Sequence, residues 1–203
     1  MTRLNPVDHP VHDVIVRRWS PVGFADRPVA AADLRSLFEA ARWAPSAFNE
    51  QPWSFLVARR EDADRFAAMH SCLVEGNQDW AATAPVLVLT VVAEQFTRNG
   101  APNATALYDL GQAVALLAVE ATARGLAVHQ MGGILPERAA ELFGVPEGRR
   151  VVTGMAVGYA AGDVTTLPEA WQARDTAPRA RRPLADLVFS GAWGAAADLG
   201  DDG

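Results

Sequence analysis

The chain has 203 residues, half of them hydrophobic and 21% charged, with a formal net charge of −6. This describes one soluble globular domain with a full hydrophobic core, and the acidic balance gives no general attraction to nucleic acid or to an anionic membrane. The single Cys72 excludes an intrachain disulfide or a cysteine metal cluster, and no stretch reaches the ~20 apolar residues of a membrane span or reads as a secretory leader. A cytoplasmic protein is expected. All eighteen basic residues are arginine, which excludes Schiff-base and P-loop lysine chemistry. Any phosphate site must use arginine forks, helix N-termini and hydroxyls.

In chain order, Val11, Val14 and Ile15 have the spacing of a short helix face. Arg17 and Arg18 close that helix and Ser20-Pro21 breaks it. Two arginines beside a serine in a tight bend can hold a phosphate by charge-assisted hydrogen bonds, or can simply complement the helix dipole. A helix follows from about Ala31 to Trp43, with Leu34, Leu37, Phe38 and Ala41 on one buried face.

The connection Trp43-Ala-Pro-Ser-Ala-Phe-Asn-Glu-Gln-Pro-Trp53 is longer and more aromatic than an ordinary loop. Pro45 and Pro52 stiffen it, while Ser46, Asn49 and Gln51 offer uncharged donors and acceptors. Such a loop suits a flat, neutral, hydrogen-bonding ligand, or plugs the end of a core.

Phe55–Ala58 reads as a short buried strand, and residues 62–74 as a helix ended by Gly76-Asn77. Ala84–Val92 is an unbroken β-branched run, predicting a central strand covered on both faces. Residues 94–104 are polar and turn-rich, predicting a mobile surface segment; 94–108 is the expected lid. Thr105–Arg124 is the longest helix, apolar on more than one stripe, with Gly125 as its C′ residue. A short strand, Leu126–His129, feeds Gln130-Met-Gly-Gly-Ile134, whose glycines let backbone N–H groups approach a ligand. Pro136 starts a helix that Phe143-Gly144 ends, and Val151–Tyr159 is a second long strand. From Thr176 the tail reads as extended and carries Arg179, Arg181 and Arg182. The fold expected is α+β, a mixed α/β sandwich, in one domain over 1–203 with 190–203 as a tail.

Taken together, these residues resemble the nitroreductase-like flavoprotein family from about Val14 to Phe189. The resemblance is carried by Arg18-Trp-Ser-Pro-Val-Gly-Phe24, by Ala44–Trp53, by Asn77, Trp80 and Ala84-Pro85, by Gly132-Gly133, and by Gly158-Tyr159, in the family's order. It implies a three-layer αβα fold and an intertwined homodimer with FMN at the interface. Arg18 and Ser20, with Arg17 close by, would hold the FMN phosphate, and Arg179, Arg181 or Arg182 would return to it. Pro45, Ser46, Ala47 and Asn49 would line the flavin from the other subunit. Gln130, Met131, Gly132 and Gly133 would run past the ring, with a backbone N–H to N5, and Asn77 would reach the pyrimidine edge. Phe48 and Tyr108 are the expected substrate contacts; Tyr108, after the mobile segment, either gates substrate or packs structurally.

The chemistry implied is ping-pong: NADH or NADPH delivers hydride to flavin N5, then a nitroaromatic, quinone or activated alkene takes it. No side-chain nucleophile is needed, and no Gly-x-Ser-x-Gly or strand-borne Gly-x-Gly-x-x-Gly occurs. The other readings are a flavin- or small-ligand-binding dimer with little turnover, or different flavin chemistry such as dehalogenation or dehydrogenation. Val22 stands where the family commonly has a second basic residue. A lost charge-assisted bond there weakens phosphate binding by about 1.5–3 kcal/mol unless Arg17 or a tail arginine compensates. Ile134-Leu135 replaces an aromatic and an acidic helix cap. No metal is expected: His9 and His12 lack a third ligand nearby, and His129 is either a packed residue or a proton donor to the acceptor.

Overall fold

The computed structural model describes residues 3–200, so the last three residues of the expected 190–203 tail lie outside the described part. The helices are α1 (Asp13–Arg17), α2 (Ala31–Arg42), α3 (Ala63–His70), α4 (Glu75–Ala81), α5 (Ala106–Ala123), α6 (Pro136–Phe143) and α7 (Glu169–Thr176). The strands are β1 (Trp53–Arg59), β2 (Val86–Ala93), β3 (Ala127–Met131) and β4 (Arg149–Gly158). They form one antiparallel sheet in the order β1-β2-β4-β3.

Alternation along β2 divides the core. Val86, Val88 and Val92 face α2 and α5, where Leu37, Leu110, Val114 and Leu117 meet them. Leu87, Leu89 and Val91 face the opposite layer, with Met69 of α3, Trp80 of α4 and Ala139 of α6. The sheet is therefore covered on both sides, as the unbroken β-branched run requires. This is the expected three-layer α/β sandwich.

The structure departs from the sequence expectations at residues 62–74 and in α5, and adds elements the sequence did not announce. Residues 62–74 are not one helix, and Gly76 and Asn77 lie inside α4 rather than ending α3. The break comes from tertiary pairing: Leu73 bridges Ile134, Val74 N–H donates to Gly133 O (3.1 Å) and Leu135 N–H to Cys72 O (2.7 Å). Those backbone bonds replace the ones a continued helix would make. Residues 94–104 fold back as a pinned turn, with a Gln95–Pro102 bridge and Phe96 N–H donating to Ala101 O (2.8 Å). The chain before Thr176 carries α7, a helix without an apolar stripe to announce it. α5 is also less enclosed than its composition suggests, because Leu107, Tyr108 and Leu116 stay exposed. Gly125 does end it, at φ +75°.

Candidate active site

The loop between α2 and β1 is the most strained part of the described chain. Phe48, Asn49 and Gln51 all have positive φ (55°, 54° and 51°), and no other non-glycine residue does. Strain of this kind costs about 1–3 kcal/mol per residue and persists only where the surroundings over-determine it. Here the determinants are visible. Ser46 Oγ accepts from Gln51 N–H (3.0 Å), and Gln51 Nε2 donates to Asn49 O (3.1 Å). Asp109 in the first turn of α5, only 2% exposed, accepts from Ala47 N–H (3.1 Å). Thr105 Oγ lies 2.9 Å from Asn103 Oδ1 and 3.3 Å from Asp109 Oδ2, and its one proton serves one of them at a time. Asp109 is the residue that sequence reasoning missed, because one acid in the first turn of a helix reads only as a dipole complement.

The strained backbone presents Phe48 outward, 73% exposed; Tyr108 in the first turn of α5 (72%) and Trp43 at the start of the loop (72%) are likewise exposed. The 94–104 turn docks on the loop. Glu50 accepts from Thr97 N–H (2.7 Å), Phe96 meets Phe48 edge-on (5.7 Å, 83°), and Arg98 lies over the Phe48 ring at 4.0 Å.

A second region is built where α1 meets the tail. A cleft of about 220 Å³ is lined by Asn5, Ile15, Arg18, Arg179 and Arg181 among others. Arg18 Nη1 donates to Ser20 Oγ (3.3 Å), and Arg179 Nη1 to Arg18 O (3.2 Å). Arg179 Nη2 is buried and reaches no acceptor. Burial first, and Arg181 second, lower the pKa of Arg18; Arg179 is lowered by burial and then by Arg3, Arg18 and Arg181. Neither forms an ion pair among the described residues, so like charges are concentrated without a carboxylate to answer them. A phosphate would complete this arrangement. Arg17 is not brought into the cleft; it pairs with Asp13 (2.6 Å) and faces a separate one with Arg3, Trp19 and Arg27. Arg182 does not line the cleft either.

Asp175 of α7 locks the bend that carries Ser20. Its buried carboxylate accepts from Val22 N–H (2.9 Å) and Gly23 N–H (3.2 Å). Val22 is 1% exposed and belongs to the core that contains Trp80, so its side chain packs inward. Beneath the bend, His129 Nδ1 lies 2.7 Å from Pro21 O, an acceptor only, so this nitrogen carries the proton. The imidazole packs on Trp80 (4.3 Å between centroids), and burial lowers its pKa. His129 is thus a packed, hydrogen-bonded residue, as one of the two readings had it.

The Gly132-Gly133 turn follows β3. A Cβ at Gly132 would meet nothing within 4 Å, whereas one at Gly133 would stand 2.7 Å from Asn77 Nδ2 and Val74 Cγ2. Asn77 Nδ2 donates to Gly133 O (3.0 Å), so Asn77 props this turn. The N–H groups of both glycines reach no acceptor among the described residues. An open backbone face and an unanswered guanidinium cleft together fit a flat ring with a phosphate tail. His12 caps α1 through Nδ1 (3.3 Å from Val14 N), and no cluster of metal-ligating side chains occurs among the described residues. No described helix is long and apolar enough to cross a membrane.

The chain is similar in sequence and fold to known proteins. The model of the Nitroreductase family matches residues 15–74 and 66–159. An uncharacterized 15.4 kDa protein of Mycolicibacterium smegmatis is 39% identical over 150 residues, covering 69% of this chain and 97% of its own length. A Streptomyces coelicolor protein with the provisional name NADH dehydrogenase/NAD(P)H nitroreductase is 41% identical over 73 residues, 36% of this chain and 35% of that protein. Among solved structures, an oxidoreductase described as containing FMN is 35% identical and superposes with a TM-score of 0.87, covering 94% of this chain and 96% of its own.

Proposed function

The chain belongs to the nitroreductase family and is an oxidoreductase of that family, and we propose that it binds FMN and uses NAD(P)H to reduce an electron-poor acceptor such as a nitroaromatic, quinone or activated alkene. The observation that carries the reading is the unanswered guanidinium pair, with Arg179 Nη2 buried and without an acceptor beside Arg18 and Ser20. Arg18, Arg179, Arg181 and Ser20 would hold the phosphate. Gly132 and Gly133 would offer N–H groups to the ring, supported from behind by Asn77. FMN held by these residues would supply the hydride-transfer chemistry between NAD(P)H and the acceptor.

The protein's part is to place the ring and to leave one face open. The protomer exposes Trp43, Phe48 and Tyr108, far more aromatic surface than a lone loop needs. A homodimer that covers Trp43 and places Phe48 and Tyr108 at the substrate face accounts for this, with Pro45, Ser46, Ala47 and Asn49 of each protomer lining the other's flavin. Sedimentation equilibrium is expected to give twice the 21.7 kDa chain mass.

The deciding test is the visible spectrum before and after anaerobic NADH or NADPH. A yellow protein that bleaches, then recovers its colour with a nitroaromatic or quinone, supports the reading. Flavin that is bound yet not reduced by either donor overturns the reductase activity and favours a flavin-binding dimer. A colourless protein that cannot be reconstituted with FMN overturns the cofactor.

A further inference from the structure

Arg98 has no part in the cofactor cleft, yet its setting is specific. Its guanidinium carbon stands 4.0 Å from the Phe48 ring centroid and 5.2 Å from that of Phe96. Glu50 of the strained loop accepts from Thr97 N–H (2.7 Å), and Arg98 forms no ion pair among the described residues. A guanidinium held over a ring by cation–π attraction keeps N–H donors that do not face the ring, and those can bind a carboxylate or phosphate bidentately. The segment holding it is fixed by the Gln95–Pro102 bridge, and the ring beneath it is fixed by a strained backbone. Arg98 is therefore a positioned cation beside an exposed aromatic face.

We propose that Arg98 is a specificity-determining residue that selects ligands combining a flat π-system with an anionic group, the ring stacking by Phe48 and the anion meeting the N–H donors of Arg98 that do not face the ring. This rests on the reading of Phe48 as a substrate contact. The anion has two sources, the acceptor itself, as in a nitrobenzoate, or the extra phosphate that distinguishes NADPH from NADH.

The experiment compares the FMN-loaded parent with Arg98→Ala and Arg98→Lys. Steady-state rates are measured with 4-nitrobenzoate and its neutral counterpart 4-nitrobenzamide, each with NADH and NADPH. Calorimetric titration with benzoate and benzamide gives a readout that needs no turnover. Loss of one charge-assisted contact is expected to lower the benzoate-to-benzamide preference about tenfold in Arg98→Ala, mainly through KM or Kd, and less in Arg98→Lys, which keeps the charge but not the fork. A fall in the NADPH-to-NADH ratio with the acceptor ratio unchanged also supports the proposal and assigns the anion to the donor. Unchanged ratios in both arms, with unchanged calorimetry, overturn it. A protein that binds no FMN sinks the proposed function instead, and the calorimetric comparison still decides the role of Arg98.

Discussion

Replacing Asp109 by alanine removes the acceptor that holds Ala47 N–H (3.1 Å) and tethers the strained loop to α5. The site is nearly sealed, with Asp109 2% exposed, so water does not readily take over. Losing a hydrogen bond to a charged group costs about 1.5–3 kcal/mol. The positive-φ backbone of Phe48, Asn49 and Gln51 holds about 1–3 kcal/mol of strain at each residue. That strain favours release of the loop once its anchor is gone. The loop therefore opens locally, and only the anchoring energy appears in global stability. At about 2–4 °C per kcal/mol for a domain of this size, the melting temperature should fall by about 3–12 °C. Calorimetry measures that drop, and amide exchange should show Ala47 to Gln51 exchanging much faster while β2 and β4 stay protected. Asp109→Asn keeps one acceptor oxygen and should lose about half as much. An alanine variant that melts within about 1 °C of the parent, with unchanged exchange at Ala47, refutes the argument.

Other outcomes follow from the same geometry. Arg179→Ala should weaken FMN binding about tenfold or more, read by quenching of flavin fluorescence, with a smaller salt dependence than the parent. Gly133→Ala should destabilise the fold by about 1–3 kcal/mol, because its Cβ would overlap Val74 and Asn77, whereas Gly132→Ala should fold normally and report instead in the flavin spectrum. Burial lowers the pKa of His129 below its ordinary 6.5, so the neutral ring is the one that fits. The unfolded chain then binds the proton more readily, and stability present above pH 6.5 is lost as pH falls toward the folded value. Denaturant titrations from pH 7.5 to 5 should show that slope, and it should flatten in His129→Gln. Cys72, wholly buried and with its thiol pKa raised by burial, should react with a thiol reagent only after denaturation.

The β-branched run of β2 was readable because both of its faces are buried, which leaves a near-continuous apolar string in the sequence. α2 was readable from one-sided periodicity, and α6 from Pro136 and Gly144, which mark its limits. The break between α3 and α4 was not, because it is imposed by backbone pairing of residues 72–74 with 133–135, which local propensity does not encode. α7 was missed for a related reason. Its one buried residue is Asp175, a carboxylate turned toward backbone donors 153 and 152 residues away. The arginines of the cleft between α1 and the tail were legible as candidates, but which of them converge was not. Arg17 turns to Asp13 one helical turn earlier, a pairing its i,i+4 spacing offers, whereas Arg179 turns inward along the path of the tail, which spacing does not encode.

The junction of bend and tail also bears on the order of folding. Arg179 reaches Arg18 O across 161 residues, and Asp175 reaches Val22 across 153. Closing a chain loop of that length costs about 4–5 kcal/mol in entropy before any contact repays it. This corner should form after the sheet has already brought its flanks together, and it should be the first to open on unfolding. A phosphate held among Arg18, Arg179 and Arg181 would reverse that vulnerability, joining two distant segments in a chain whose lone cysteine rules out an internal disulfide. Protease resistance of residues 164–182 should then rise with FMN occupancy more steeply than that of any strand.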